Sequence, residues 1–284
     1  MISIIVPTHN NARTIRATIE SVINQDSSNW ELIIVDDGSI DNSKTEIEPF
    51  IKNRSIKYFY REKEGVCSAR NIGVLKAKGD FLLFLDSDDQ LYQNAIKDFL
   101  NVIEEQNNLG ICSGSYYNSL TKKLYSPRIK GPLFHNYYLN ILSGSCILNK
   151  KVFEAVGGYD RTLTHSENWE LFIRITDYCA KNNYKIIAKD FPTLHYFNEN
   201  TLGKKQKRIQ GRYDSFPHMY KKYKRLNFEN KILKMFAEIT AYNAFKLGKR
   251  IDACKWQWTA IKNHPVDFLA FIRLFRYMFL KGSL

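Results

Sequence analysis

Short runs of consecutive apolar residues, each closed by turn-forming or acidic residues, constrain the fold of this 284-residue chain most strongly. The runs are Ser3–Pro7 (SIIVP), Glu31–Val35 (ELIIV), Ile56–Tyr60 and Phe81–Leu85 (FLLFL). Apolar runs without alternating polar residues are typical of strands that are buried on both faces. Helical patterns separate the runs. We therefore expect a doubly wound α/β domain, with a mostly parallel sheet and helices on both faces.

Helices are predicted between these strands. Asn10 or Asn11 is suited to cap a helix whose apolar stripe runs from Ile15 to Ile23. The segment Cys67–Lys78 is predicted to form a second helix, because Gly79 ends its pattern. Residues 110–197 mix helical and strand-like patterns, and the chain after Gly203 is helical in pattern.

Charge divides the chain near residue 200. Residues 1–200 hold 23 Lys and Arg against 24 Asp and Glu, a net charge of −1, whereas residues 201–284 hold 19 against 5, a net charge of +14. The whole excess of +13 therefore lies in the last part of the chain. We predict one domain over residues 1–203 and a basic α-helical region over residues 204–284.

The cysteines and the first residues bear on the cellular compartment. Five cysteines are scattered without a C-x-x-C pair, which fits a reducing compartment. The first apolar run stops at Pro7 and follows no basic segment, so no signal peptide is expected. No uninterrupted apolar stretch reaches the ~18–20 residues that span a bilayer. We expect a cytoplasmic protein that can bind peripherally to the cytoplasmic face of a membrane.

Acidic residues follow two of the predicted strands. Asp36 and Asp37 follow the second strand, and Asp86, Asp88 and Asp89 follow the fourth. Because the carboxyl ends of parallel strands meet at one edge, these carboxylates should converge and raise one another's pKa values. A divalent cation such as Mg²⁺ or Mn²⁺ would offset their charge and hold phosphates. No glycine-rich phosphate loop follows the first strand, which argues against a kinase or a dehydrogenase.

Four motifs, SIIVPTHN, VDDGS, SARNIG and FLDSDD, resemble in order and spacing the family 2 glycosyltransferases of the GT-A fold. A fifth segment, 157–160 followed by 166–170, resembles the acceptor-side region of that family. The resemblance implies an inverting transfer of a sugar from a nucleotide-sugar donor to an acceptor hydroxyl of a polysaccharide, glycan or glycolipid. The donor that it favours is a UDP-sugar. It also implies a nucleotide-sugar-binding half over residues 1–109 and an acceptor-side half over residues 110–203.

The resemblance assigns the nucleobase side of the donor site to the first two motifs. Pro7 and Thr8 would border the nucleobase pocket, and Asp36 or Asp37 would hydrogen-bond a uracil-like base. The alternative for the two aspartates is a structural β-turn that caps a helix. His9 is interpreted as a loop histidine whose hydrogen bonds are satisfied.

The third and fourth motifs would contact the rest of the donor. The resemblance implies that Arg70 approaches the nucleotide, that Asp86 faces the ribose or the water shell of the metal, and that Asp88 ligates Mn²⁺ or Mg²⁺ held on the diphosphate. A bound cation stabilises the charge that develops on a leaving diphosphate. The alternative for Arg70 is a surface arginine paired with Glu62 or Glu64.

One position departs from the family pattern. The family has Glu-Asp where this chain has Glu167-Asn168, and that aspartate is the proposed base for the acceptor hydroxyl. An amide cannot accept this proton. Glu167 is the candidate base, and Asp160 or Glu170 is an alternative, unless the enzyme is impaired. A structural interpretation also stays open, in which acidic residues favour the dipole at the start of a helix over Glu167–Lys181.

The basic C-terminal region allows three interpretations. Basic clusters at 204–212 and 221–225 alternate with aromatic residues, and a final helix carries an apolar stripe. The stripe consists of Phe268, Phe271, Ile272, Phe275, Met278 and Phe279. It could pack on the catalytic domain, or dock on an anionic membrane surface. Binding to nucleic acid is the third interpretation and is not expected.

The sequence is compatible with three functions. The leading one is a glycosyltransferase, with a nucleotide-sugar donor and a glycan or lipid-linked acceptor as partners. A nucleotidyltransferase also combines a doubly wound sheet with metal-binding aspartates, but it would need a basic, glycine-rich loop after the first strand. The third is a glycosyltransferase-like binding protein, and Asn168 is its only support.

Overall fold

A computed structural model describes residues 1–127, 129–130, 138–139, 142–197, 202–226, 228 and 230–279. Contacts within the chain divide it into two compact units, each made of two segments. The first unit is Met1–Arg161 with Leu171–Asn198, and the second is Thr162–Glu170 with Glu199–Leu284. Over the described ranges, every helix is too short or too polar to cross a membrane.

The strands belong to the first unit. They are β1 (Ile2–Thr8), β2 (Trp30–Asp37), β3 (Ile56–Arg61), β4 (Phe81–Phe84), β5 (Gln90–Leu91), β6 (Leu109–Asn118), β7 (Lys123–Tyr125), β8 (Ile129–Lys130), β9 (Tyr138–Leu139), β10 (Cys146–Asn149) and β11 (Lys185–Tyr196). The main sheet has the order β3-β2-β1-β4-β10-β6-β11-β5, with β7 paired to β6, and β8 pairs with β9 separately. Neighbours from β3 to β4 are parallel, whereas β10 and β5 are antiparallel to their neighbours.

The helices are α1 (Ile15–Ile23), α2 (Ser43–Ile47), α3 (Val66–Lys76), α4 (Ala95–Glu105), α5 (Lys150–Ala155), α6 (Glu167–Lys181), α7 (Leu202–Arg225), α8 (Asn230–Lys246), α9 (Arg250–Asn263) and α10 (Phe268–Phe279). A single 3₁₀ turn, Glu48–Phe50, follows α2. The helix expected over Glu167–Lys181 is therefore present with those bounds.

Both faces of the parallel strands are buried, which explains the apolar runs in the sequence. Ile4 and Ile34 belong to one core cluster, and their chain neighbours Ile5 and Ile33 belong to another. All four side chains are 0% exposed. Because successive strand residues point to opposite faces, a strand between two helical layers needs apolar residues at every position. The predicted doubly wound α/β fold is confirmed.

The predicted capping of α1 is wrong. The residue before α1 is Thr14, and no side chain caps that end. Asn10 has a left-handed backbone (φ 55°), and its Oδ1 accepts a hydrogen bond of 2.9 Å from Ile40 N. The N–H of Asn11 donates to Ser43 Oγ at 2.9 Å. The two asparagines thus tie the loop after β1 to the loop after β2 and to the start of α2, and these long-range hydrogen bonds replace a cap on α1.

The second unit contains the basic helices α7 to α10, so the predicted helical C-terminal region is present. Phe216, Tyr220 and Tyr223, three of the aromatic residues that alternate with the basic residues of α7, are buried, whereas Tyr213 is partly exposed. The three buried residues therefore form core, and base stacking on them is not available. The stripe on α10 is exposed, between 42% at Phe271 and 75% at Phe268. The interpretation of that stripe as a buried packing face is wrong.

Candidate active site

A pocket of about 260 Å³ opens at the carboxyl ends of β1, β2 and β4. The parallel register places Thr8 beside Asp36, and Leu85 N–H at the end of β4 donates to Ile5 O at 3.0 Å. The four predicted motifs therefore meet at this edge. The lining residues are Pro7, Thr8, His9, Asn11, Asp37, Val66, Arg70, Asp86, Ser87 and Asp88.

The two aspartates that end β2 have different surroundings. Asp36 is 1% exposed, and its Oδ2 accepts a hydrogen bond of 2.7 Å from the Tyr58 hydroxyl. Its Oδ1 accepts a hydrogen bond of 2.8 Å from Ser39 N. Burial of Tyr58, together with its hydrogen bond to Asp36, raises the pKa of the phenol. Asp36 thus orders the loop after β2, while Asp37 lines the pocket.

Asp37 is also held by main-chain donors. Its carboxylate accepts hydrogen bonds from Glu64 N at 2.9 Å and from Gly65 N at 2.7 Å. Arg61 Nε lies 3.5 Å from Asp37 Oδ1. Gly65 has a φ of 98°, a conformation that favours glycine, and it directly precedes α3. Asp37 therefore fixes both a wall of the pocket and the start of the helix that carries Arg70.

Arg70 is a buried arginine on α3 that points to the acidic edge. Its Nη2 donates to Asp86 Oδ1 at 2.7 Å, and its guanidinium lies 5.1 Å from the ring centroid of Tyr159. The Arg70 side chain is 3% exposed and the Asp86 side chain 36% exposed. The interpretation of Arg70 as a surface arginine is wrong. Glu64, one of its suggested partners, forms an ion pair of 2.5 Å with Arg61.

The carboxylates after β4 are separated by a tight turn, in which Asp89 N–H donates to Asp86 O at 3.1 Å. Asp89 is 1% exposed, and its Oδ1 accepts a hydrogen bond of 2.9 Å from Phe197 N. Asp88 is exposed and lines the pocket. Asp86 and Asp88 are thus the carboxylates of this turn that line the pocket, and Asp89 is structural.

The lining residues His9, Asn11, Val66 and Ser87 were not predicted from the sequence to bind a ligand. Asn11 Nδ2 donates to Ser87 Oγ at 2.5 Å, which joins the first motif to the fourth. Their place inside the motifs SIIVPTHN and FLDSDD was the available signal. A serine and an asparagine are common in any loop, so residue type alone could not separate them from ordinary turn residues.

Buried polar atoms of the lining residues include Thr8 Oγ1 and His9 Nδ1, which lack partners in the described part of the chain. His9 Nε2 lies 2.9 Å from Lys63 Nζ and 3.2 Å from Asn10 Nδ2, so it acts as the acceptor and the ring proton belongs on Nδ1. The interpretation of His9 as a fully satisfied loop histidine is wrong. Buried polar atoms without partners are expected where a ligand binds.

The side chains at this edge could supply part of the ligand shell of a divalent cation. Asp88 offers an exposed carboxylate, and Asp86 Oδ2 lies outside the ion pair with Arg70. No group of three or more His, Cys, Asp or Glu side chains that could hold a metal ion occurs within the described ranges. Two carboxylates can supply a fraction of the shell of a hard cation, and phosphate and water oxygens commonly complete it.

The start of α6 belongs to the second unit. Glu167 and Asn168 are its first residues and are partly exposed. Ser166, directly before them, has a φ of 63°, and its Oγ lies 2.8 Å from His165 Nδ1. Burial lowers the pKa of His165, and the nearby charge of Glu167 partly opposes this shift.

Glu170 is excluded as the base by its surroundings. Its side chain is 0% exposed, and Oε1 lies 2.9 Å from Lys222 Nζ. The Tyr223 hydroxyl donates to the same oxygen at 2.9 Å. A carboxylate in an ion pair away from solvent cannot meet an acceptor hydroxyl, so this alternative is wrong. Glu170 instead fastens the start of α6 to α7.

Comparison with proteins of known sequence gives a family match. The model of glycosyl transferase family 2 matches residues 3–183. The chain is 28% identical over 230 residues to the Escherichia coli protein named UDP-Glc:alpha-D-GlcNAc-diphosphoundecaprenol beta-1,3-glucosyltransferase WfgD, which covers 72% of this chain and 89% of that protein. It spans between 15% and 58% of the length of four uncharacterised Rickettsia glycosyltransferases, of which that of Rickettsia bellii is 39% identical over 106 residues.

Solved structures share the fold. Staphylococcus aureus TarS 1–349 in complex with UDP-GlcNAc superposes with a TM-score of 0.68 at 18% identity, over 98% of this chain and 87% of that one. The Pyrobaculum calidifontis mannosyltransferase PcManGT in complex with GDP-Man and Mn²⁺ gives a TM-score of 0.59 at 16% identity, over 96% of this chain and 78% of that one. The family model covers well over half of the sequence and includes every residue that lines the pocket. The chain therefore belongs to glycosyl transferase family 2.

Proposed function

We propose that the protein transfers a sugar, with inversion, from a nucleotide-sugar donor to a hydroxyl of a glycan or lipid-linked acceptor. The observation that carries the proposal is the pocket that joins Asp37, Arg70 and Asp88 at one sheet edge. The TarS complex contains UDP-GlcNAc, and WfgD is named for UDP-Glc and a diphosphoundecaprenol-linked acceptor. These relatives favour a UDP-sugar as the donor and a glycan or lipid-linked molecule as the acceptor.

The pocket divides into a base side and a diphosphate side. Pro7 and Asp37 border the nucleobase, with the Asp37 carboxylate available to a base N–H. Thr8 Oγ1 and His9 Nδ1–H supply hydrogen bonds that the described residues do not use. A donor that pairs both atoms removes the cost of leaving them buried and unpaired, which is about 1–3 kcal/mol for each group.

The diphosphate side combines a cation of the protein with two carboxylates. Arg70, which is held by its ion pair with Asp86, would contact the nucleotide. Asp88, with Asp86, would hold Mn²⁺ or Mg²⁺. Such an ion neutralises the charge that develops on the diphosphate as the sugar leaves. The PcManGT complex, which contains Mn²⁺, supports this part of the proposal.

Glu167 is proposed as the general base that takes the proton of the acceptor hydroxyl. The hydroxyl oxygen then attacks the anomeric carbon on the side opposite the diphosphate, which inverts the configuration. Proximity to Asn168, the position where the family carries its aspartate, supports Glu167. Asp160 is the remaining alternative. A protein that binds donors without transferring the sugar is the second candidate function, because Asn168 cannot act as a base.

A donor panel with one pocket variant tests the proposal. UDP-, GDP- and dTDP-sugars with Mn²⁺ should raise the melting temperature for the correct nucleotide, by the equivalent of about 2.7 kcal/mol at 100 times Kd. Asp88→Asn should abolish the part that depends on metal and slow transfer about a thousandfold, as loss of ~4 kcal/mol of charge stabilisation requires. Glu104→Gln, an exposed carboxylate on α4, is the matched control and should change neither. A melting curve that no nucleotide shifts contradicts the proposal.

A further inference from the structure

The most apolar side of α10 points outward. Phe268, Phe275 and Phe279 are 75%, 64% and 65% exposed. Leu269, Phe271, Ile272 and Met278 on the same helix are between 42% and 60% exposed. A surface helix of a globular protein normally turns such residues toward the core. Large apolar side chains that are exposed together on one helix often mark an interaction site. We call these seven residues the outer face of α10.

The inner side of α10 is held by specific contacts within the second unit. Ala270 and Tyr277 are buried, and the rings of Tyr277 and Phe245 lie 4.8 Å apart. Gln257 Nε2, on α9, donates to Ala270 O at 3.1 Å. At about 100° per residue, Ala270 and Tyr277 lie opposite the three phenylalanines on the helix circumference. The packed residues therefore fix α10 with its large apolar side chains toward solvent.

The helix next to α10 repeats this pattern and adds positive charge. Ile251 and Trp258 on α9 are 73% and 48% exposed, and Lys255 and Lys262 between and after them are exposed too. These four residues follow at intervals of four, three and four positions, which keeps them on one side of a helix. Arg276 is exposed at the flank of the outer face of α10.

We infer that the outer face of α10 docks on a membrane surface that contains anionic phospholipids. The helix would lie in the plane of the headgroups, with the phenylalanine side chains at the acyl boundary and Arg276 among the phosphates. A helix with one strongly apolar side and basic flanks has this binding mode. Residues 201–284 carry 19 Lys and Arg against 5 Asp and Glu, a net charge of +14 that complements anionic headgroups.

The charge favours a membrane over a second copy of the chain. Two copies that join their α10 faces would bring Arg276 of each, and the basic surfaces around it, close together. Like charges at an interface oppose association. An anionic bilayer pairs with the same charges and also receives the apolar side chains. The inference goes beyond sugar transfer, and its test measures binding alone, so it stands or falls separately from the proposed reaction.

Flotation of the full chain with lipid vesicles tests the inference. The vesicles contain phosphatidylcholine alone, or with about 30% phosphatidylglycerol as the anionic component. The chain should float with anionic vesicles, and binding should weaken as salt rises, because salt screens surface charge. Phe275→Glu and Phe279→Glu should each lower the bound-to-free ratio at least about tenfold. Arg276→Gln should lower it less and should weaken its dependence on salt.

The matched control is Leu75→Glu on α3, which introduces the same charge at a residue that is 77% exposed. It should float as the unaltered chain does. Phe275→Ser and Phe279→Ser remove the apolar side chain without adding a charge. Circular dichroism melts of all variants show whether a loss of binding is caused by a loss of folding. The inference is overturned if the chain does not float with anionic vesicles, or if folded α10 variants float unchanged. It is also overturned if light scattering shows a dimer that Phe275→Glu dissociates while no vesicle binding occurs.

Discussion

At the scale of single residues, Asp36 and Asp37 show how far the sequence determines the site. Of these two neighbouring strand residues, Asp37 lines the pocket and Asp36 does not. The sequence could not say which one would do so, because the answer depends on Tyr58, a residue of β3 that hydrogen-bonds Asp36. The motif residues at the pocket were predictable from sequence, whereas the unpaired atoms of Thr8 and His9 emerge only when neighbouring strands are assembled.

Thr8→Val provides a test of that unpaired hydroxyl. Valine keeps the shape of threonine and removes a buried oxygen that lacks a partner in the described part of the chain. The free energy of unfolding of the free protein should rise by about 1 kcal/mol, and donor affinity should fall about fivefold as one hydrogen bond is lost. Chemical denaturation and calorimetry with the donor nucleotide measure the two effects. Thr18→Val is the control, because the Thr18 hydroxyl donates to Asp89 O at 2.8 Å, and it should destabilise the protein.

Glu167→Gln tests the proposed base. General-base catalysis contributes about 10²–10⁴-fold, so kcat should fall by that factor while donor affinity stays nearly constant. Asn168→Asp should change kcat modestly or raise it by supplying a second carboxylate. Steady-state rates with one authentic donor and acceptor check both variants. An unchanged rate for Glu167→Gln, beside an Asn168→Asp that activates a silent protein, would instead identify a degenerate transferase.

At the scale of secondary structure, the hydrophobic pattern predicted where helices and strands form, but it did not predict what each of them packs against. The helix over Glu167–Lys181 and the strands of the parallel sheet follow from local patterns. The apolar stripe of α10 was visible in the same way. A period of 3.6 residues shows that a helix has two sides, but it does not show which side meets the protein. Small residues such as Ala270 and a hydrogen bond from Gln257 decide that, and both depend on tertiary packing.

A buried carboxylate ties β1, β2 and β3 together at the sheet edge away from the pocket. Glu31, which is 5% exposed, accepts hydrogen bonds from Ser3 Oγ at 2.8 Å, Lys57 Nζ at 2.7 Å and Lys78 N at 2.5 Å. Burial alone would raise the pKa of Glu31. The hydrogen bonds from Lys57, Lys78 and Ser3 outweigh burial and hold the pKa below its usual value of 4.5.

That depressed pKa predicts how stability depends on pH. The unfolded chain protonates Glu31 more readily than the folded chain does, so its contribution is present above about pH 4.5 and is lost as pH falls through the folded pKa. Glu31→Gln should cost about 1–3 kcal/mol at pH 7, and less at pH 3. Urea denaturation at several pH values measures this difference. Glu46→Gln, whose side chain is 32% exposed in its pair with Arg16, is the control and should cost less than about 1 kcal/mol.

At the scale of the whole molecule, the boundaries of the two compact units differ from the boundary that the charge distribution predicts. The charge change predicts a boundary near residue 203, whereas contacts place Thr162–Glu170 with the C-terminal helices. Trp169 explains the grouping, since its ring lies 5.3 Å from that of Phe216 and 5.7 Å from that of Phe236. A short segment that packs against residues far away in the sequence need not differ from its neighbours in amino-acid composition. The sequence therefore could not predict it.

This packing predicts that the C-terminal helices support catalysis. Phe236→Leu should loosen Trp169 and the start of α6, lowering kcat severalfold with donor affinity unchanged. Its cost in stability should be about 1–2 kcal/mol. Phe245→Leu is the matched control on the same helix, because Phe245 packs against Tyr277 instead. It should cost similar stability and leave kcat intact. Rates, donor titrations and thermal melts of both variants check the prediction, and equal loss of kcat in the two would contradict it.

The grouping of Thr162–Glu170 with later helices also sets an order of events during synthesis on the ribosome. Every residue that lines the pocket lies between Pro7 and Asp88, so that edge of the sheet can assemble before α7 is synthesised. Glu170 meets its partners Lys222 and Tyr223 only 52 and 53 positions later along the chain. At a synthesis rate of about 5–20 residues per second, Lys222 is added to the chain roughly 3–10 seconds after Glu170, whose carboxylate it pairs with. The nascent chain can thus acquire its donor pocket several seconds before the segment proposed to hold the base is locked in place.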